Sequence, residues 1–310
     1  MASQPLSLPA VQAVDDDGFE AHRRHLRGLA YRMLGSWADA EDVVQDTWLR
    51  WREVDRSAVD SPRAYLSRVA ARLCLDKLKS AQARREQYVG PWLPEPLPQA
   101  HWYAGPAPGE FAADLSVALM LALERLSAPE RAAFLLHDVF DVPYAEIART
   151  LGREEATCRQ LAARARARVR EARPRYNASE EEGARLAEAF MRASREGDVD
   201  ALRTLLAEDA VLYSDGGGRK AAALRPVLGS DRIARFYRGL ARKPDAPGYI
   251  AEHITRLNGM PAIVAIEPDG LPRTTTLAID GGRIAAIYLV RNPEKLAHLA
   301  ALAGQPDVAH

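Results

Sequence analysis

The chain has 310 residues, 42 basic and 42 acidic side chains, 47% hydrophobic residues and two cysteines. That is long enough for two or three buried cores and too apolar for a disordered chain. The N-terminus has no signal-like pattern and no apolar run reaches spanning length, so no membrane contact and a cytoplasmic location are expected. Two distant thiols exclude a disulfide framework or a zinc site, and no metal or cofactor is expected.

Residues 1–18 are polar and irregular and are expected to form a disordered tail. A first all-helical module follows over 19–88. Its first helix carries Leu26, Leu29, Ala30, Met33 and Leu34 and stops at Gly35, which suits a left-handed cap. Ser36 caps a second helix with Asp39, Glu41 and Asp42 in its first turn, where the helix dipole favours acids. Its apolar stripe is Val43, Val44, Thr47, Trp48 and Trp51. Ser61-Pro62 opens a third helix with Leu66, Val69, Ala70, Leu73, Cys74 and Leu78 at three-and-four spacing.

Prolines 91, 94, 96, 98, 106 and 108 make 89–113 an extended linker. Trp92, Leu93, Leu97, Trp102 and Tyr103 within it imply that it packs on something. A second helical module spans 114–176. Ser127-Ala128-Pro129-Glu130 is a capping box. A short helix with Tyr144, Ile147, Ala148 and Leu151 ends at Gly152. The next helix turns Cys158, Leu161, Ala162, Ala165 and Val169 inward and arginines outward, making a helix-turn-helix. An ordinary helical hairpin is the alternative reading of that segment.

The third module, 180–305, begins at a second capping box, Ser179 to Glu182. Two or three helices precede strands expected over 210–214, 250–257, 262–267, 274–279 and 284–290, with turns at Asn258-Gly259, Asp269-Gly270 and Gly281-Gly282. The expected fold is an antiparallel, curved α+β cone. The whole chain is therefore multidomain, two all-α modules followed by one α+β module.

Charge is banded along the chain. Residues 61–88 hold 7 basic and 2 acidic side chains, and 149–178 hold 9 and 3. The flanking segments, 1–60 and 89–148, are net acidic. Two short basic bands in a neutral protein point to two separate nucleic-acid contacts, although solvated helix faces collect arginines as well.

Several spaced motifs over 19–176 carry a family resemblance. Asp39-Ala40-Glu41-Asp42-Val43-Val44-Gln45-Asp46-Thr47-Trp48 resembles the sigma-factor helix that docks on the polymerase clamp. Ser61-Pro62-Arg63-Ala64-Tyr65-Leu66 resembles the opening of the helix that melts and reads the minus-10 element. Leu126 to Arg131, Glu146-Ile147-Ala148, Leu151-Gly152 and Thr157 to Gln160 resemble the module that reads the minus-35 element. Residues 180–305 resemble the SnoaL-like, NTF2-like cone. Trp92-Leu93-Pro94-Glu95-Pro96-Leu97, Asp215-Gly216-Gly217-Gly218-Arg219-Lys220 and Asn292-Pro293-Glu294-Lys295-Leu296 are similar to three signatures of extracytoplasmic-function sigma factors with such a fused domain. Arg219 is inserted before the lysine of the second signature, and Glu294 stands for an aspartate in the third.

The resemblance implies core RNA polymerase, through its β′ clamp and β flap, and promoter DNA as partners. It implies polymerase docking through Asp39, Glu41, Asp42, Gln45, Asp46 and Trp48. Minus-10 contacts are expected from Arg63, Arg68, Arg72, Lys77, Arg84 and Arg85. At minus-35, Arg159 and Gln160 suit guanine and adenine edges, and Arg164, Arg166, Arg168 and Arg170 suit phosphates. The three signatures, through Trp92 to Leu97, Asp215 to Gly218, Lys220, Asn292, Pro293 and Lys295, are expected to regulate initiation in cis, with a pocket ligand of unspecified identity as a further partner. Asp215, Tyr213, Tyr237 and His253 are the groups available for an enzyme reading, but no spacing marks an acid–base pair, so no catalysis is expected. The alternative is a stand-alone DNA-binding regulator, or a SnoaL-type enzyme with a helical DNA-binding appendage.

Overall fold

The computed structural model describes residues 18–86, 88–101, 111–172, 178–243 and 248–299, without the side chains of 80–86. Residues 1–17 of the expected tail, Trp102 and Tyr103, and the side chains of Arg84 and Arg85 lie outside the described residues. None of the described helices is long and apolar enough to cross a membrane.

The first module is three helices, α1 (Glu20–Leu34), α2 (Trp37–Arg52) and α3 (Pro62–Glu86). Gly35 ends α1 at φ 69°, and Ser36 Oγ accepts from Asp39 N to start α2. The second module comprises α4 (Val117–Glu124), α5 (Ala128–Phe134), α6 (Tyr144–Leu151) and α7 (Glu155–Ala172), with a π-helical turn at Leu135–Val139 after α5. Glu130 reaches back to accept from Ser127 N and Oγ, so the expected box forms. Gly152 leaves α6 at φ 62°, and Cys158, Leu161, Ala162, Ala165 and Val169 are buried along α7.

The two modules share one continuous apolar core, running from Phe19 and Leu26 of the first to Phe134, Ile147 and Val169 of the second. Arg131, nearly fully buried, stitches them by donating to Met33 O (2.7 Å) and Glu124 (2.8 Å). Burial pulls its pKa down to about 10. Arg32, fully buried, donates to Ala112 O at 2.9 Å.

The third module has helices α8 (Glu180–Glu196), α9 (Val199–Leu205) and α10 (Ser230–Ala241), strands β1 (Leu206–Asp215), β2 (Val227–Leu228), β3 (Ala251–Leu257), β4 (Met260–Ile266), β5 (Pro272–Asp280) and β6 (Arg283–Val290), and a final turn of helix, α11 (Pro293–Leu296). The sheet order is β2-β1-β6-β5-β4-β3. It is not wholly antiparallel as expected: β1 and β6 run parallel, because β1 enters from α9 and β6 closes the hairpin series β3–β6 back onto it. Alternation along β1 separates two faces. Leu206, Ala210 and Leu212 pack under the helices, whereas Tyr213 sits against the opposite core, which also takes in Leu93 of the linker and Val117 of α4.

Candidate functional site

Residues 91–98 run extended through a groove between the first module and the cone, with Leu93 and Leu97 1% and 3% exposed. Leu97 joins the helical core and Leu93 joins the cone core, so the linker is shared between them. Burying two leucines contributes about 1.5–3 kcal/mol each.

The charged centre of this groove is Asp215, at the end of β1 and fully buried. Its carboxylate accepts from Tyr88 Oη (2.6 Å), Leu93 N (2.8 Å), Gly217 N (3.1 Å) and Lys295 Nζ (2.7 Å). Lys295 also donates to Leu93 O and sits 4.3 Å from the Trp92 ring centroid and 4.8 Å from that of Tyr88. Asn292 caps α11 by accepting from Glu294 N and donates to Tyr88 Oη at 2.9 Å. Burial, then the Asp215 carboxylate, pushes the Tyr88 phenol up, so it stays a donor. Pro293 holds the first position of α11 and aims Lys295 back at the linker.

Glycine is required at two places here. A Cβ on Gly217, at φ 59°, would lie 2.3 Å from Asn292 Nδ2, and one on Gly216 would lie 2.1 Å from Lys220 O. Gly218 approaches Val89, at 3.4 Å from a would-be Cβ. These glycines let the loop after Asp215 close against the linker and α11.

The other end of the linker grips the first module. Glu95 accepts from Trp37 N at 2.7 Å, at the N-terminus of α2, while its own N donates to Gly35 O. Tyr31 Oη donates to Glu95 O, and His298 Nε2 lies 2.7 Å from Pro96 O. Leu97 exchanges two hydrogen bonds with Asn258, whose amide also donates to Tyr31 Oη and Leu115 O. Pro94 and Pro96 donate nothing and keep the backbone extended between these anchors. Sequence reasoning missed Tyr88, Tyr31, Asn258 and His298. Asn258 looked like a turn residue only, and it does occupy φ 53° in the β3–β4 turn.

Lys220 does not join this centre, contrary to its grouping with Asp215. The loop turns it toward the helical side of the sheet, where its Nζ pairs with Glu267 (3.0 Å) and Asp269. Arg291 also holds Glu267, at 2.8 Å. Burial works against the Glu267 carboxylate, but these two cations hold its pKa below the usual range.

The expected nucleic-acid and polymerase residues fall into free and engaged groups. On α2, Asp42, Gln45 and Asp46 are exposed beside Leu49, itself 45% exposed and unanticipated, with Trp48 half-buried under Arg52. Glu41 pairs with Arg27 at 2.6 Å. Lys77, expected on DNA, instead binds Asp39 (2.9 Å) and Asp42 (3.0 Å), because α2 and α3 pack side by side. Burial opposes the Lys77 charge, but those two carboxylates raise its pKa. Arg63 is exposed, and Arg68 lies over the Tyr65 ring. Arg72, also expected on DNA, donates to Arg149 O (2.7 Å) and Thr150 O (3.3 Å) at the C-terminal end of α6.

On α7, Arg159 and Gln160 are exposed near the helix start, with Arg159 paired to Glu155. Arg164 and Arg168 pair with Glu130, and Arg166 pairs with Asp138. Arg166 is thus half-buried against the turn after α5 and not on the outer face expected of it. Arg170 lies over the Phe111 ring.

Of the groups weighed for catalysis, only Tyr237 lines the cavity between α10 and the sheet. Asp215 and Tyr213 project from the opposite face of β1, Tyr213 stacking on Tyr288, and His253 stands on the edge strand β3. Both Asp215 oxygens accept hydrogen bonds within the linker grip. No cluster of metal-ligating side chains occurs among the described residues.

Residues 19–84 match the model of Sigma-70 region 2, and residues 116–169 that of Sigma-70, region 4. The chain is 42% identical over 287 residues to the ECF RNA polymerase sigma factor SigJ of Mycobacterium tuberculosis, covering 89% of this chain and 91% of that one. It is 33% identical over 295 residues to the probable ECF RNA polymerase sigma factor SigI of the same organism, covering 92% and 96%. The crystal structure of Mycobacterium tuberculosis SigJ superposes with a TM-score of 0.71 at 37% identity, covering 90% of this chain and 97% of that chain.

Proposed function

This chain belongs to the extracytoplasmic-function RNA polymerase sigma factors, and from that premise we propose that its cone domain holds the promoter-reading modules in a closed, silent arrangement by gripping the linker between them. As a sigma factor it acts with RNA polymerase on promoter DNA. The finer assignments are part of the proposal. The face of Gln45, Asp46 and Trp48, joined by Asp39 and Asp42 once Lys77 moves to DNA and by Glu41 once it leaves Arg27, docks on the β′ clamp. The second module docks on the β flap. Arg63, Arg68, Arg72, Lys77, Arg84 and Arg85 serve the minus-10 element. Arg159 and Gln160 read the minus-35 element while Arg164, Arg166, Arg168 and Arg170 meet phosphates.

The observation that carries this reading is the Asp215–Lys295 pair closed over the linker backbone at Leu93. With the linker held, the two modules share a core and Arg72 is spent on α6 carbonyls instead of phosphates. Two separate DNA elements are read only if the modules separate, so the grip and promoter binding exclude one another.

Run-off transcription with core polymerase, on a promoter selected from random DNA, tests the proposal. The double variant Asp215→Leu/Lys295→Met removes both charges together, which leaves the cone core packed while the linker loses its hydrogen bonds. It is expected to initiate several-fold more often than the parent chain, with unchanged cone unfolding. Equal or lower initiation from a folded double variant overturns regulation by the grip.

A further inference from the structure

Between α10 and the sheet lies a cavity of about 550 Å³, within the usual range for small-molecule sites. Its lining includes Ser214 and Tyr237, 1% and 2% exposed, whose hydroxyls are buried at the wall. Neither hydroxyl has a hydrogen-bond partner among the described residues. Buried polar groups are almost always satisfied, so two orphans just behind the wall of one cavity, on residues that line it, mark a place where a further oxygen or nitrogen belongs once the wall adjusts. Burial pushes the Tyr237 phenol up, which keeps it protonated and able to donate.

The remaining lining sets the rest of the ligand. Phe236, Leu240 and Leu289 give apolar walls. The Glu267 carboxylate is neutralised by Arg291 and Lys220. Two cations on the lining, the exposed Lys243 and the half-buried Arg273, have no carboxylate partner among the described residues; Arg273 instead holds the Tyr249 hydroxyl. Polarity therefore runs from neutral donors buried at the wall, through an apolar middle, to positive charge toward solvent.

We propose that this cavity binds an amphipathic organic anion, an aromatic or alicyclic carboxylate with a hydroxyl or carbonyl oxygen at its far end. The carboxylate meets Arg273 and Lys243, the ring system packs on Phe236 and Leu240, and the distal oxygen satisfies Tyr237 and Ser214. This inference rests on the cone alone and stands or falls separately from regulation through the linker.

Titration of the full chain with 6-hydroxy-2-naphthoate, read by calorimetry or by the probe's fluorescence, tests it. One-to-one binding is expected, with 2-naphthoate and 2-naphthol each at least several-fold weaker because each lacks one polar end. Tyr237→Phe is expected to bring 6-hydroxy-2-naphthoate down toward 2-naphthoate without unfolding the cone, since it removes only an unpaired hydroxyl. Leu240→Trp, which fills the cavity, is expected to abolish binding. Absence of saturable binding, equal affinity for all three compounds, or indifference to both substitutions overturns the proposal.

Discussion

At the scale of single residues, burial decides which charged groups this protein tolerates. Asp215 and Lys295 are sealed together, each completing the other and the linker backbone between them. His25 is the opposite case, a buried imidazole whose charged influences are the cations Arg63 and His22. Its Nε2 lies 2.8 Å from Ser67 Oγ and its ring meets the edge of Phe140. Burial, reinforced by Arg63 and His22, pulls its pKa down to about 3. Between pH 6.5 and 3 the unfolded chain binds a proton here that the folded chain refuses, so stability falls as pH drops through that window. Urea unfolding at pH 7 and pH 5 is expected to show a loss approaching 1.4 kcal/mol per pH unit from this site. His25→Gln is expected to flatten that slope, although the depressed His22 and His101 keep some of it in both proteins. Equal slopes for parent and variant count against the assignment.

At the scale of elements, the linker is held by backbone shape as much as by charge. The Trp92 ring covers Gly35, and a Cβ there would lie 2.4 Å from the indole. Gly35→Ala combines that clash with φ 69°, a conformation that costs an alanine about 1–2 kcal/mol. It is expected to expose residues 88–98 to protease at several times the parent rate; an unchanged rate contradicts the tight seat of Trp92. Much of this was legible in the sequence. The helices announced themselves through Gly35, Ser36, Pro62 and Gly152, and the inward face of α7 followed from three-and-four spacing. The signatures at 92–97, 215–218 and 292–295 pointed to one functional unit. What stayed hidden depends on contacts between distant segments. The parallel pairing of β1 with β6 has no local cue. Nor could local sequence assign Lys220 and Asp215 to opposite faces, because the inserted Arg219 lies in a loop whose direction is set by Glu267 across the sheet. The arginines of α7 were counted correctly as a basic band, yet Glu130 and Asp138, from a different helix and its turn, occupy three of them.

At the scale of the whole molecule, the two promoter-reading modules and the cone meet around one extended strand of linker. Their separation is measurable. Dyes on cysteines introduced at the exposed Ser57 and Ala163 report one compact distance in the closed chain. The buried Cys74 and Cys158 stay unlabelled. In Asp215→Leu/Lys295→Met the distribution is expected to lengthen by about a helix diameter, ~10 Å, or more. An unchanged distribution separates the cone's hold from module geometry. A fastening made of sealed opposite charges is also specific without being strong. Both charges belong to the cone, so releasing the linker returns Asp215 and Lys295 to water as an intact pair at little cost, whereas closing the linker over only one of them strands a buried charge, which is steep. Under the regulation proposed above, the cone therefore lets go of the linker all at once or keeps hold, which gives two settings with little in between.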